Sequence, residues 1–246
     1  MKTHNSLFLA WQSPETRDWH VVGQLNERED DYVFKYTKGA MKVKNFIPFS
    51  GMDDIRSTYS SKELFPLFKN RVLSARRPEY PQFMKWLGLD KNEFSAMEML
   101  ARSGGARATD NLQVFKRIEI QEDGTFDYYF FAHGISYLPD SAKERINNLK
   151  DGEKLYLCPD PQNEYDECAV MIRTGGPVEI IGYCPRYIAK VIGIFLASSG
   201  STLSLKVESM QANAPVNYRL MCKLEAQVDK KAVEKYLEQD EFQLIN

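Results

Sequence analysis

Cysteine and histidine, the residues that most often bind zinc, are scarce in this sequence. Its 246 residues include four cysteines and three histidines. None of the cysteines forms a C-x-x-C pair or has a histidine nearby at ligand spacing: Cys158, Cys168, Cys184 and Cys222. A zinc site needs four converging sulfur or imidazole ligands. We therefore expect no metal and no cofactor, and reduced thiols, which are typical of a cytoplasmic protein.

Long apolar runs are missing as well. The first run, Leu7–Trp11, is too short for a signal peptide. The longest later run, Val191–Ala197, is far below the ~20 apolar residues that a membrane-spanning helix requires. We therefore expect a cytoplasmic protein that does not associate with a membrane.

The sequence also has no excess of positive charge. It contains 32 lysines and arginines against 34 aspartates and glutamates, a net charge of −2. A protein that coats nucleic acid nonspecifically needs a cation for each phosphate that it neutralises, so this class is excluded. The charge is uneven, however: residues 1–117 carry 19 basic against 14 acidic side chains, and residues 118–246 carry 13 against 20. The two halves therefore have net charges of +5 and −7.

Signatures of common enzymes are absent too. The sequence has no G-x-S-x-G elbow, no Walker loop and no kinase H-R-D or D-F-G motif. Pro159-Asp160 resembles the start of a metal-dependent nuclease motif, but the acidic residue downstream, Glu179, lacks the lysine expected two positions later. We predict a non-enzymatic protein, with a nuclease as a minor alternative.

Alternating apolar residues predict three strands at the beginning of the chain. These are Ser6–Trp11, Trp19–Leu25 and Tyr32–Tyr36, and the turns between them indicate a short antiparallel meander. From Ser60 to Ser103 the apolar residues recur at helical spacing and are interrupted by prolines and a glycine, which predicts three short helices.

Capping signals mark several helix ends. Ser95–Glu98 has the spacing of a capping box, and Gly104-Gly105 is expected to end the helix that begins there. Ser141–Glu144 has the same spacing before another short helix. Pro185 suits the start of a third helix, with a broad apolar face that runs to Gly200.

The second half is otherwise rich in strand patterns. Asp123-Gly124 predicts a tight turn that joins Asn111–Ile120 and Thr125–Ala132 into a β-hairpin. Further predicted elements are the strands Lys154–Cys158, Ala169–Thr174, Val178–Tyr183, Thr202–Met210 and Arg219–Ala226, and a C-terminal helix around Val233–Leu237.

Four motifs in this half occur in a characteristic order. They are Gly134-Ile135-Ser136-Tyr137, Gly152-Glu153-Lys154-Leu155-Tyr156-Leu157, Asn163-Glu164-Tyr165-Asp166-Glu167-Cys168-Ala169 and Ile181-Gly182-Tyr183-Cys184-Pro185. Together they resemble the HIRAN domain, over roughly residues 128–228. The resemblance implies a small OB-like or SH3-like β-barrel with added helices. It also implies DNA binding, since the HIRAN domains of fork-remodelling helicases recognise the 3′ end of single-stranded DNA.

The same resemblance implies particular site residues. Tyr137 and Tyr165 match the family's stacking aromatics, Asp166 matches its hydroxyl-accepting aspartate, and Asn163 lies in the same loop. Tyr218 is a candidate for a further aromatic. Where the family's helicase members have an arginine, before the first aromatic, this chain has Ser136. The cations that would compensate are Lys154, Arg186, Lys190 and Arg219. The alternative is that the Asn163–Asp166 loop is structural, because Asn and Asp side chains often bond to the local backbone.

The first half is similar to the N-terminal subdomain of HipA-type toxin kinases. The similarity rests on Val22–Leu25, Tyr32–Tyr36, Leu64–Arg71 and Met99–Gly105. No kinase core follows, which suggests an adaptor with a surface for a protein partner. A basic group is a candidate contact for such a partner or for phosphate, although a solvated helix face is the default interpretation: Lys69, Arg71, Arg76 and Arg77.

The sequence thus predicts an α+β fold with two domains. Residues 1–117 form a HipA N-terminal-like β-meander with short helices, and residues 118–246 form a HIRAN-type β-barrel with added helices and a C-terminal helix. The expected function is binding of single-stranded DNA or 3′ DNA ends, as an adaptor in defence or genome maintenance that works with a helicase or nuclease. The alternative is an antitoxin-like partner of a HipA-type kinase that works beside a helix-turn-helix protein.

Overall fold

The structure is a computed structural model, and it describes residues 6–89, 95–107 and 110–245. The chain divides into two compact units. The first contains Met1–Arg117 and Gln239–Asn246, and the second contains Ile118–Glu238. Both units combine an antiparallel sheet with helices, so the fold class is α+β, as the sequence predicts.

The first unit is built on a five-stranded sheet. Its strands are β1 (Ser6–Gln12), β2 (Trp19–Glu27), β3 (Tyr32–Tyr36), β4 (Thr58–Ser61) and β5 (Leu112–Lys116), in the order β4-β3-β2-β1-β5. Its helices are α1 (Lys38–Lys42), α2 (Pro66–Lys69), α3 (Tyr80–Trp86) and α4 (Ala96–Ser103). The predicted meander β1-β2-β3 and the three short helices between Ser60 and Ser103 are confirmed.

Local capping chemistry sets the ends of α4. The Ser95 hydroxyl accepts a hydrogen bond from the Glu98 N–H at 3.0 Å. Gly104, with φ +72°, ends the helix, and its N–H donates to the Leu100 carbonyl. Both features follow the sequence pattern, because a helix end needs partners for its unpaired backbone groups wherever it lies in the fold.

The predicted hairpin between residues 111–120 and 125–132 is wrong. The Asp123-Gly124 turn forms, with Gly124 at φ +85°, but the strands beside it separate. β5 pairs with β1, in register Leu9 with Val114. The strand after the turn, β6 (Thr125–Phe131), pairs instead with β11 (Leu220–Gln227). A turn signal specifies a reversal of the chain but does not specify which strands lie beside each other.

The last residues also differ from the predicted arrangement, which placed 239–246 with the second half. After α7 (Lys230–Leu237) the chain returns to the first unit. There Leu244 forms a bridge with Thr37, and the Ile245 N–H donates to the Tyr36 carbonyl at 3.1 Å. Ile245 is buried in the core of that unit. In the sequence, the apolar signal here is the short pair Leu244-Ile245. Such a pair does not indicate which strand or core it will contact.

The second unit is built on a six-stranded antiparallel sheet. Its strands are β6, β7 (Lys154–Pro159), β8 (Val170–Thr174), β9 (Ile180–Tyr183), β10 (Thr202–Met210) and β11, in the order β6-β11-β10-β7-β8-β9. Its helices are α5 (Asp140–Asn147), α6 (Arg186–Leu196) and α7, with 3-10 turns at Ile135–Tyr137 and Val216–Tyr218. The predicted strands and the helix after Pro185 are confirmed. Helix α5 begins at Asp140, after Pro139, two residues earlier than a cap at Ser141 predicts, so Ser141 does not cap it.

The two outer strands of this sheet come together at one point. The His133 and Tyr183 N–H groups each donate to the other residue's carbonyl at 2.9 Å, which joins the end of β6 to the end of β9 and curls the sheet. Gly182 permits this approach: its φ is +145°, and an added Cβ would lie 2.8 Å from the His133 carbonyl oxygen. A side chain at position 182 would therefore force the two strands apart.

A glycine substitution tests this closure. Gly182→Ala should lower the free energy of unfolding by about 1–3 kcal/mol, because it adds both a clash and an unfavourable φ. The matched control is Gly193→Ala, on α6, where an added Cβ meets nothing within 4 Å. That change should raise stability by up to about 1 kcal/mol. Urea unfolding of the two variants measures the difference, and equal stability would contradict the role of Gly182.

Candidate nucleic-acid interface

The loop between β7 and β8 is organised by Asn163. Its side-chain carbonyl accepts hydrogen bonds from the Tyr165 N–H at 3.0 Å and from the Asp166 N–H at 3.1 Å. Its amide group donates to Asp160 Oδ2 at 3.0 Å. The loop is thus held by local side-chain bonds, as the structural alternative predicts. The same bonds fix the backbone of Tyr165, whose side chain is 78% exposed.

Asp166 uses only part of its capacity to accept hydrogen bonds. Its Oδ1 accepts the Cys168 N–H at 2.9 Å. Its Oδ2 lies 3.9 Å from the Arg186 Nε, and the Asp166 side chain is 19% exposed. A carboxylate oxygen has two lone pairs, and 3.9 Å is too long for a hydrogen bond. Oδ2 is therefore oriented by Arg186 and can still accept a hydrogen bond that a ligand hydroxyl donates.

Tyr137 ends the 3-10 turn that begins after Gly134. Gly134 has φ +77°, so it suits the sharp change of direction after β6. The Tyr137 side chain is 92% exposed, and the neighbouring Ser136 is exposed too. This turn contacts the turn that contains Tyr218. The sequence-predicted aromatic and serine are thus on the surface, at a position fixed by the end of the sheet.

Tyr218 has a different environment. Its ring centre lies 5.4 Å from that of Phe131, at an interplanar angle of 78°, and burial raises its pKa. The adjacent Arg219 is half-buried, and its Nη2 donates to the Ala214 carbonyl at 3.5 Å. In the part of the chain that the structure describes, its Nε has no hydrogen-bond partner. Both residues therefore support the turn more than they offer an open surface.

Tyr183 connects the two exposed tyrosines. Its hydroxyl donates to Asp160 Oδ2 at 3.4 Å, at the start of the Tyr165 loop, and its backbone pairs with His133, just before the Tyr137 turn. Burial, followed by the charge of Asp160, raises the pKa of Tyr183. The sequence motif includes Tyr183 but gave no sign of these two contacts, because they depend on strand pairing. Tyr183 thus forms hydrogen bonds both with the start of the Tyr165 loop and with the residue just before the Tyr137 turn.

The predicted cations of the second unit are spread over several elements. Arg186 begins α6 beside Asp166, and Lys190 is exposed one helical turn further on. Lys154 is exposed at the other end of β7 from the Tyr165 loop. The five residue steps from Lys154 to Pro159 span about 17 Å at strand spacing. Only Arg186 therefore lies directly at the loop.

The basic residues of the first unit do not form one open group. Lys69, Arg76 and Arg77 are exposed. The Arg71 side chain is only 2% exposed. Its guanidinium donates to both Asp110 carboxylate oxygens, at 3.1 and 2.5 Å, and to the Gly105 carbonyl at 2.8 Å. Arg71 therefore holds two loops together and does not present its charge to a partner or to phosphate.

Two general features complete the site. Among the described residues, no group of three or more histidine, cysteine, aspartate or glutamate side chains could hold a metal ion. None of the helices in the described ranges combines the length and apolar character that a bilayer crossing requires.

Comparison with known proteins gives one family. Residues 125–229 match the model of the HIRAN domain family. Two solved structures are similar. The crystal structure of the HIRAN domain of human HLTF is 16% identical, with 50% of this chain and 98% of that chain covered and a TM-score of 0.37. A protein from Lactobacillus plantarum is 19% identical, with 41% and 98% covered and a TM-score of 0.33. No curated protein matches the chain.

The ion pair of the buried Arg71 side chain with the partly exposed Asp110 predicts a large effect on stability. Arg71→Met leaves the Asp110 carboxylate without its cation and should lower the free energy of unfolding by about 3 kcal/mol. Lys69→Met removes an exposed ion pair with Glu63 and should cost less than about 1 kcal/mol. Urea unfolding compares the two variants. A similar small loss in both would contradict the structural role of Arg71.

His133 predicts a pH dependence of stability. Burial lowers its pKa to about 4, whereas in the unfolded chain it returns to about 6.5. Below about pH 6.5 the unfolded chain takes up a proton that the folded protein does not, so stability falls as the pH drops to about 4, by up to about 3 kcal/mol. His133→Gln should flatten this part of the profile in urea unfolding at several pH values. An equally steep profile in the variant would contradict the assignment.

Proposed function

We propose that this chain is a DNA-binding protein that recognises single-stranded DNA, or the 3′ end of a strand, through its HIRAN domain at residues 125–229. The family match supports the DNA-binding role. The match of Tyr137, Tyr165 and Asp166 to the motifs of helicase-borne HIRAN domains supports the preference for an end. The observation that carries the proposal is the exposure of two tyrosines, 92% for Tyr137 and 78% for Tyr165.

These groups fit the chemistry of a terminal nucleotide. Such a nucleotide offers the face of a base and a free 3′-hydroxyl. A tyrosine ring in water provides a stacking surface, and stacking of a base on an aromatic ring contributes about 1–3 kcal/mol. Asp166 Oδ2 has room to accept a hydrogen bond from the 3′-hydroxyl, because its contact with Arg186 is 3.9 Å long. A 3′-phosphate would instead bring negative charge against the carboxylate.

The charge of the second half favours local recognition. Residues 118–246 carry 13 basic against 20 acidic side chains, so bulk attraction of phosphates contributes little. In this proposal the chain holds DNA by stacking and by hydroxyl recognition, without cutting it. The affinity should then depend only weakly on salt, because few counterions are released on binding.

For residues 1–117 we propose the role of an adaptor that contacts a protein partner. The exposure of Lys69, Arg76 and Arg77 supports it, together with the resemblance to the HipA N-terminal subdomain that the sequence motifs predict. A partner surface on the same chain as a DNA-binding unit suits a defence or genome-maintenance system.

End recognition is tested with fluorescence anisotropy on matched oligonucleotides that carry a 3′-hydroxyl or a 3′-phosphate. The wild-type protein should prefer the hydroxyl by about tenfold, since a hydrogen bond to a charged group contributes about 1.5–3 kcal/mol. Asp166→Asn keeps an oxygen for the Cys168 N–H but removes the charge, so the preference should fall towards one.

The matched control is Glu164→Gln, which changes the same charge at an exposed position of the same loop. It should keep the preference of the wild type. Urea unfolding checks that Asp166→Asn is folded. If both ends bind equally well and Asp166→Asn changes nothing, end recognition by this loop is refuted.

A further inference from the structure

The outer face of the second sheet carries a row of lysines. This face is opposite to the core side chains Leu155, Leu205 and Leu224. Lys154 on β7 pairs with Lys206 on β10, and Lys206 pairs with Lys223 on β11. Side chains that are directly opposite across an antiparallel pair are close, and like charges there are destabilising. The row therefore needs compensating negative charge.

At one end of the row the structure provides that compensation. Lys223 Nζ lies 3.0 Å from Asp127 and 2.8 Å from Glu225. Lys206 Nζ also lies 2.8 Å from Glu225. These two carboxylates neutralise the two lysines, and they raise the pKa of Lys223. At this end of the face, both lysines therefore have carboxylate partners.

The other end is different. Lys154 Nζ lies 5.2 Å from the ring centre of Tyr156, and the Arg173 guanidinium carbon lies 4.5 Å from the same centre. Arg173 is opposite Tyr156 in the register, and its Nη1 donates to the Thr174 carbonyl at 3.0 Å. Within the described ranges neither cation has an ion-pair partner. Two positive charges are thus held on one ring without a carboxylate.

We propose that Lys154, Tyr156 and Arg173 form a phosphate-binding strip for single-stranded DNA. The two cations bind phosphates of the strand as it leaves the terminal-nucleotide site, and the Tyr156 ring positions them. This inference rests on the proposed function, because that site determines where the strand begins. Phosphate complements the unpaired charge, and cations already held on a ring lose little freedom when they bind it.

Strand register places the strip next to the candidate interface. Met171 and Arg173 are two residues apart on β8, so they lie on the same face, and Met171 pairs with Tyr183. Tyr183 in turn contacts Asp160 in the Tyr165 loop. Tyr156 is three residues before Pro159, where the loop begins, which is about 10 Å at strand spacing. A strand bound at the loop can therefore continue over this face.

The test separates the strip from the terminal site by oligonucleotide length. An oligonucleotide of about 3 nucleotides reaches only the terminal site, whereas one of about 12 also covers the strip. The double variant Lys154→Gln and Arg173→Gln should bind the longer one on the order of tenfold more weakly and the shorter one as the wild type does. The slope of log K against log salt for the longer one should become shallower by about 1.4, because each single-strand phosphate contact contributes about 0.7.

The matched control removes two cations that already have ion-pair partners. Lys206→Gln with Lys230→Gln makes the same change of net charge, since Lys230 pairs with Glu234 on α7. This control should keep the wild-type affinity and salt slope. Tyr156→Leu keeps both charges but no longer positions them, so it should weaken binding of the longer oligonucleotide with little change in slope.

Three outcomes would refute the phosphate-binding strip, and one of them would refute the proposed function as well. If the double variant matches the wild type on the longer oligonucleotide, while both still prefer a 3′-hydroxyl, the strip is refuted and the proposed function stands. If the control loses as much affinity as the double variant, the effect is one of net charge and the strip is again refuted. If the wild-type protein binds neither oligonucleotide, the proposed function and the strip fall together.

Discussion

The backbone pair between His133 and Tyr183 is the contact on which the second unit depends. It joins the two outer strands of the sheet, and it exists because position 182 is a glycine with φ +145° that lets the His133 carbonyl approach. The same pair sets the direction of the turn that exposes Tyr137. Through its hydroxyl, Tyr183 also contacts the loop that exposes Tyr165. Tyr183 therefore connects the two surfaces that the proposed function assigns to DNA, while Asn163 and Gly134 shape each surface locally.

Several charged side chains in this protein are paired with oppositely charged neighbours. In the first unit the Arg71 guanidinium is used inside the protein, where it joins α2 to the loop at Asp110. On the outer face of the second sheet, Lys206 and Lys223 are neutralised by their neighbours. At the candidate interface, Arg186 is likewise held beside a carboxylate, that of Asp166. In the proposed function such a site recognises a particular group by geometry, and a net negative charge of the unit does not prevent this.

Much of the fold could be predicted from the sequence, because its signals act over a few residues. The meander β1-β2-β3 followed from alternation of apolar residues, and the ends of α4 followed from Ser95 and Gly104. The errors in strand pairing have one cause. The Asp123-Gly124 turn forms, yet β5 and β6 pair with β1 and β11, which are distant in the sequence. The choice of partner depends on which apolar faces are buried together, and no local pattern encodes that.

The same distinction, between signals over a few residues and pairing of distant strands, applies to the candidate site. By itself the sequence determined which residues are candidates, because Tyr137, Asn163, Tyr165 and Asp166 occur in recognisable motifs, and Asn163 organises its loop through bonds to residues two and three positions away. Only the tertiary structure decided how these residues are used. In it Arg71 is buried, and Tyr218 packs against Phe131. Tyr183 contacts both tyrosine segments, and Lys154 and Arg173 lie over the same ring. The motif residues act through bonds between near neighbours, whereas exposure and pairing of charges depend on which distant strands lie side by side.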